Sequence, residues 1–149
     1  MLHPKIDRGV ILFSALLLLI LCDSCRKDVG NAEFGNYPAE IGRIVSHNCA
    51  ISGCHDSKSY QAASDYDLST WEKMFQGSKS GSPVIPFHSK FSPFCYYVNT
   101  YEGLGLRNTP TMPLNRSALS EEEVIAVQQW IDRGAPDSKG KVKWAENPN

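Results

Sequence analysis

The chain has 149 residues, and its 15 lysine and arginine residues nearly balance its 16 aspartate and glutamate residues, for a formal charge of −1 at pH 7. This balance and the lack of a basic run exclude the charge pattern of a nucleic-acid-binding protein. The length predicts one domain once an N-terminal segment is set aside.

The N-terminus has the pattern of an export signal. Lys5 and Arg8 precede an apolar run of twelve residues, 10–21. This run is shorter than the about 20 apolar residues that a membrane-spanning helix needs. A positive flank before a short apolar run is typical of a signal peptide. We therefore expect residues 1–24 to be removed when the protein is exported.

The signal ends in LCDSCRKD, which resembles the lipoprotein signals of bacteria, in which the cysteine just after the cleavage point receives lipid. Cys25 is the predicted lipidation site because small Ser24 precedes it, whereas bulky Leu21 precedes Cys22. The resemblance implies a protein of the bacterial cell envelope, anchored by lipid to a membrane surface and facing the periplasm or the cell exterior. Residues 25–36 then form the lipidated N-terminus and a polar tether.

The first predicted helix follows this tether. Ile41, Ile44 and Val45 recur at helical spacing, and Pro38 suits the first helical position. We expect this helix to run to about Cys49.

Two short helices are predicted in the middle of the chain. The segment 69–77, STWEKMFQG, has Ser69 and Glu72 at the positions of a capping box and a glycine at its end. The segment 92–99, SPFCYYVN, has Ser92 as a cap, followed by a proline that suits the first helical turn.

The last predicted helix has the clearest pattern. Ser120 and Glu123 predict a capping box at its start, and Gly134 and Pro136 predict its end. Between them runs an apolar stripe at helical spacing: Val124, Val127, Trp130 and Ile131. Because no segment shows sustained strand alternation, we predict an all-α domain. Its long loops, rich in glycine and proline, need something to pack on, and a large apolar cofactor would supply it.

The most informative motif is HNCAISGCHD. Cys49 and Cys54 enclose four residues, and His55 follows directly. One interpretation is a Cys49–Cys54 disulfide in an oxidising compartment. That pairing leaves Cys95 over and gives His55 no role.

A second interpretation is a zinc site built from His47, Cys49, Cys54 and His55. Structural zinc sites usually draw paired ligands from two separated segments. Here all four ligands come from one segment, and two of them are adjacent in sequence, which disfavours a tetrahedral arrangement.

The third interpretation is covalent haem attachment. Two thiols add to the two vinyl groups of haem, and a histidine directly after the second thiol places its imidazole under the iron; the usual spacing is C-x-x-C-H. Here the spacing is C-x4-C-H, with Cys49, Cys54 and His55. We expect the two extra residues to bulge outward, which Gly53 favours.

An electron-carrying haem needs a second axial ligand, and methionine and histidine are the usual choices. Met112 is the predicted ligand because Pro110 and Pro113 place it in a stiff loop instead of on a helix face. Met74 lies at helical spacing among aromatic residues and is predicted to be core. His88 is a lone loop histidine, for which a solvated side chain is the expectation.

The whole pattern resembles the class I cytochrome c fold, particularly the small c-type domains of bacterial envelope lipoproteins. The most specific part is MP followed by LS-EE-I--WI--GAP, and the resemblance covers about residues 36–138. It implies a domain at 37–138 that wraps around one haem c, followed by a polar tail at 139–149. By that family pattern, the thioethers form at Cys49 and Cys54, and the axial ligands are His55 and Met112.

The resemblance implies an electron-transfer protein, not an enzyme, that exchanges single electrons with redox partner proteins of the cell envelope. Two alternatives stay open. One is a non-redox exported binding or scaffold lipoprotein with a Cys49–Cys54 disulfide. The other is a haem peroxidase-like enzyme in which Met112 leaves the distal site open.

Overall fold

The computed structural model describes residues 34–144. The predicted signal, the predicted lipidation site Cys25 and residues 26–33 of the predicted tether lie outside this range, as do residues 145–149 of the predicted tail. Residues 34–144 contain no strand, and the predicted all-α class is confirmed for them. Their α-helices are α1 (Ala39–Asn48), α2 (Trp71–Gln76), α3 (Pro93–Val98) and α4 (Glu121–Asp132).

Three short 3-10 helices lie in the loops between these elements, at Tyr60–Ala62, Ser89–Phe91 and Glu102–Leu104. None of the helices described in residues 34–144 is long and apolar enough to cross a membrane.

The predicted start of α4 is confirmed. The Ser120 hydroxyl accepts a hydrogen bond from the Glu123 N–H at 3.2 Å, and the Glu123 carboxylate accepts one from the Ser120 N–H at 2.9 Å. This reciprocal capping box satisfies two backbone N–H groups that the first helical turn leaves unpaired. The predicted apolar stripe of α4 is fully buried.

The predicted cap of α2 is wrong by one residue. Thr70 is the N-cap, and its hydroxyl accepts a hydrogen bond from the Lys73 N–H at 3.2 Å. Ser69 instead donates its N–H to the buried Asp67 carboxylate at 2.9 Å. Because Asp67 holds Ser69 outside the helix, the helix begins one residue later than the Ser69–Glu72 pattern indicates.

The turn after α4 is hydrogen-bonded to both α2 and α4 through two tryptophan side chains. The Trp130 indole N–H donates to the Pro136 carbonyl at 2.8 Å, and the Trp71 indole N–H donates to the Ala135 carbonyl at 2.9 Å. The two tryptophans therefore bind consecutive carbonyls of the turn after α4. Gly134 begins this turn with φ +92°, a conformation that glycine adopts without strain.

The described ends of the chain also pack on the domain. The Gly35 carbonyl accepts a hydrogen bond from the Trp71 N–H at 2.8 Å, and the Asn36 carbonyl accepts one from the Ser138 N–H at 2.9 Å. The Trp144 ring lies 5.5 Å from the Phe75 ring. Residues 34–36 and 139–144, which the sequence places in the tether and the tail, thus contact the same edge of the fold near α2.

Candidate functional site

The motif loop, residues 49–55, begins where α1 ends. The Cys49 N–H donates to the Val45 carbonyl at 2.9 Å and completes the last helical turn. The His55 N–H then donates back to the Cys49 carbonyl at 3.2 Å. This hydrogen bond closes the loop, so that the backbones at the first cysteine and at the histidine lie side by side.

The middle of the motif loop points outward. Ser52 and Gly53 are exposed, and a side chain built on Gly53 would meet nothing within 4 Å. Gly53 has φ +83°, which glycine adopts without strain. Its N–H donates to the Ser59 hydroxyl at 2.9 Å. The two residues in excess of the usual spacing are therefore accommodated by a bend toward solvent.

His55 is fixed from two sides. Its carbonyl accepts a hydrogen bond from the Leu68 N–H at 2.9 Å, and its Nδ1 lies 2.9 Å from the Tyr66 carbonyl oxygen. A carbonyl oxygen only accepts hydrogen bonds, so this contact requires the proton on Nδ1. In the neutral imidazole, Nε2 then carries the lone pair. This is the arrangement by which proteins orient metal-ligating histidines.

The two cysteines of the motif are both free thiols. Cys49 is buried in the hydrophobic core, whereas Cys54 is half-buried. Burial, followed by the nearby Cys54 and Glu123, raises the pKa of Cys49 from 9.0 to about 12. The Cys49 thiol is therefore protonated at neutral pH. The disulfide alternative is not the arrangement that the structure has.

The zinc alternative lacks geometric support. In the described range, 34–144, no group of three or more histidine, cysteine, aspartate or glutamate side chains is arranged to hold a metal ion. All four residues of that alternative lie in this range. A haem would need fewer protein ligands, and His55 and Met112 are the two side chains that would hold its iron.

Met112 lies in the methionine loop, residues 105–116. The Met112 N–H donates to the Tyr97 carbonyl of α3 at 2.7 Å, and its side chain packs partly buried against the core. The Arg116 guanidinium donates to the His47 carbonyl at 3.4 Å. Since His47 precedes Cys49 by two residues, the methionine loop connects α3 with the α1 end that begins the motif loop.

The methionine loop exposes two large aliphatic side chains. Leu106 is 68% exposed and Leu114 is 53% exposed, and they lie on either side of Met112 in sequence. A contiguous apolar patch is typical of a surface on which a partner or cofactor packs, whereas single exposed apolar side chains are common on protein surfaces.

The sequence predictions for Met74, as core, and for His88, as a solvated side chain, are confirmed. Met74 is fully buried in the core, whereas His88 is exposed and packs edge-on against the Phe91 ring at 6.2 Å. Cys95 is a buried free thiol, and burial raises its pKa to about 12.

A surface cavity of about 330 Å³ lies between α1 and the start of α4. It is lined by Glu40, Arg43, Ile44, His47, Glu122 and Glu123. None of Cys49, Cys54, His55 and Met112 lines it, so this cavity is separate from the motif loop.

No protein-family model, curated protein or solved structure matches the chain. The functional argument therefore depends on the chain's own residues.

Sequence reasoning missed two parts of the site. The Tyr66 carbonyl that orients His55 is a backbone group, which no residue pattern reveals. Asp56 accepts hydrogen bonds from the N–H and the hydroxyl of Ser59, and the hydroxyl holds the pKa of Asp56 below its usual range. An aspartate three residues before a serine is a recognisable turn pattern, and it could have predicted that this part of the chain is rigid.

Proposed function

We propose that the protein is a membrane-anchored electron carrier with one covalent haem c per chain. Cys49 and Cys54 bind the haem through thioethers, and His55 and Met112 are the axial ligands. Cys25 carries the lipid that holds the protein in the bacterial cell envelope, where it exchanges electrons with redox partner proteins.

The observation that carries this proposal is the 2.9 Å contact between His55 Nδ1 and the Tyr66 carbonyl oxygen. In this contact Nδ1 donates its proton to the carbonyl oxygen, so that the lone pair of Nε2 is available to bind a metal ion. A scaffold whose cysteines merely held a loop would have no need of a histidine oriented in this way.

The chemical types of the donors also support a haem c, which needs two thiols, a histidine and a second axial ligand. Two free thiols flank a loop that ends directly at the oriented histidine, and a methionine packs on the same core from a second loop. A bound haem would supply one-electron redox chemistry. The chain's part would be to hold the imidazole plane and to present the Met112 thioether.

The side chain at the second axial position distinguishes a carrier from the peroxidase alternative. A carrier keeps both axial positions filled by side chains, whereas a peroxidase needs an open position on the iron. Met112 is backed by its own backbone hydrogen bond to Tyr97 and by the core, which favours a filled position.

The proposal is tested by expressing the chain in a host that attaches haem c and separating it under denaturing conditions. We expect haem absorbance to remain with the polypeptide and to be lost completely in the C49S/C54S double variant. The matched control is Cys95→Ala, which removes a thiol outside the motif loop and should retain haem. A wild-type chain without bound haem in such a host would overturn the proposal and leave the scaffold alternative.

A further inference from the structure

The last described segment, residues 139–144, is a basic strip with the sequence KGKVKW. Lys139, Lys141 and Lys143 are all exposed, and the segment contains no acidic residue. The described residues outside this strip carry an excess of three negative charges, because residues 34–144 contain 11 basic and 11 acidic side chains. The strip thus has a net positive charge, whereas the rest of the described residues has a net negative charge.

The strip ends in an aromatic side chain that is half in solvent. Trp144 is 49% exposed, and its other half packs edge-on against Phe75 at 5.5 Å. The Lys143 ammonium lies 5.4 Å from the Trp144 ring centroid and 5.8 Å from that of Phe75. A tryptophan with one apolar side and a neighbouring cation suits the boundary between water and lipid headgroups.

The chain enters the domain beside this strip. The Asn36 side chain accepts a hydrogen bond from the Ser138 hydroxyl at 2.7 Å, and the two backbones are joined at 2.9 Å. Ser138 directly precedes the basic strip. The nine residues from 26 to 34 span at most about 30 Å when fully extended. Lipid on Cys25 would therefore restrict the strip to a short distance from the membrane.

We propose that the basic strip and Trp144 dock on the anionic phospholipid headgroups of the membrane that holds Cys25. The inference rests on the lipid anchor in the proposed function. The strip holds three lysines, and each lysine near an anionic surface favours docking by about fivefold. The tether raises the effective concentration of the surface, so this modest attraction suffices.

Asp137 and Glu72 are the described acidic side chains that contact the strip or its neighbour Asn36. The buried Asp137 carboxylate accepts hydrogen bonds from the Lys139 and Lys141 N–H groups, both at 2.8 Å. Glu72 is exposed and accepts a hydrogen bond from the Asn36 amide. One of these two carboxylates is thus buried within the turn, and three ammonium groups remain in solvent.

The test uses the mature lipoprotein in vesicles of phosphatidylcholine, either alone or mixed with phosphatidylglycerol. An amine-acylating reagent is applied, and mass spectrometry gives the modification rate of each lysine. We expect the strip lysines to react several-fold more slowly in the anionic vesicles at low salt, and the difference to disappear at high salt. Lys58 and Lys90, which are exposed outside the strip, should react equally in both.

Variants with fewer lysines test whether the protection from labelling depends on the charge of the basic strip. In K139Q/K141Q the docking equilibrium should fall by about 30-fold, so that Lys143 loses its protection. The charge-matched control K58Q/K90Q should leave that protection intact. Equal strip labelling in the two vesicle types overturns the inference and leaves the strip as a site for an acidic protein.

The same samples separate the parts of the proposed function. The mass of the N-terminal peptide reports lipid on Cys25, and the absorbance reports haem. A chain without lipid on Cys25 overturns both the anchor and the docking inference, whereas the proposal of a covalent haem is unaffected. Lipidated, haem-bearing protein with unprotected strip lysines overturns the docking inference alone.

Discussion

The motif loop and the methionine loop would supply the two axial ligands, and they hold them in different ways. His55 is fixed by two contacts of 2.9 Å, one through its ring and one through its backbone, both to residues within 13 positions of it in sequence. Met112 has one described backbone contact to α3 and lies in a loop whose residues 105–110 are all exposed.

The difference shows which half of the site is built locally. A ligand fixed by nearby residues is oriented as soon as its own segment folds, because little chain entropy is lost in closing short loops. The Met112 contact to Tyr97 spans 15 positions, but the methionine loop is also joined to α1 by the Arg116–His47 contact, which spans 69 positions and forms only when these distant segments have packed. We therefore expect the motif loop to govern attachment and the methionine loop to govern the electronic state of the iron.

The largest expected effect on this comparison comes from the substitution Met112→Leu. The substitution conserves side-chain volume and should cost less than about 1.5 kcal/mol of stability. It removes the thioether, so we expect complete loss of the weak near-infrared methionine–iron band and a lower reduction potential, with covalent haem retained. The matched control, Met74→Leu in the core, should keep the band. Persistence of the band in Met112→Leu would assign the ligand elsewhere.

The next test compares the thiols of the chain made without haem. The pKa of about 12 for Cys49, against 9.0 for an ordinary thiol, leaves about a thousandfold less thiolate at neutral pH. We expect iodoacetamide to modify Cys49 at least about a thousandfold more slowly than an ordinary exposed thiol, and more slowly than the half-buried Cys54. Mass spectrometry of the modified peptides gives the rates.

Cys95 serves as the internal reference in that experiment, because burial also raises its pKa to about 12. It should react as slowly as Cys49. Modification of Cys49 at the rate of Cys54 would show that the first thiol of the motif loop is not part of the core.

The smallest effect is expected from two glycine substitutions, one within the motif loop and one just before the methionine loop. Gly53 has φ +83° with open space around it, so Gly53→Ala should cost about 1 kcal/mol from backbone strain alone. Gly103 has equally open space but lies outside the left-handed region, so Gly103→Ala should be neutral or slightly stabilising. Chemical unfolding measures both. Equal effects of the two substitutions would contradict the strained bend at Gly53.

Much of the fold could be predicted from the sequence because its signals are local. The capping box at Ser120 and the stripe that follows it lie within a few turns of one helix, and both are found in the structure. The start of α2 was missed because Asp67, two residues upstream, binds Ser69 more effectively than the helix end does. Such competition between neighbouring caps depends on geometry that residue types do not encode.

The site was predictable to a lesser extent. The adjacency of Cys54 and His55 is visible in the sequence, as is the bend at Gly53. The carbonyl of Tyr66 and the contact from Arg116 to His47 arise from backbone paths and from the packing of distant segments. No spacing rule contains that information. The haem, its attachment and its second ligand remain predictions.

The hydrogen bond from the His55 N–H to the Cys49 carbonyl closes the motif loop at its base. The position of His55 therefore does not depend on the number of residues in the loop. The ends of the loop are joined to each other, whereas its middle faces solvent and contacts the Ser59 hydroxyl. Adding a residue next to Gly53 lengthens a closed surface loop at a cost of a few tenths of a kcal/mol. The histidine would keep its place. An additional residue between Cys49 and Cys54 then needs no compensating change elsewhere in the domain.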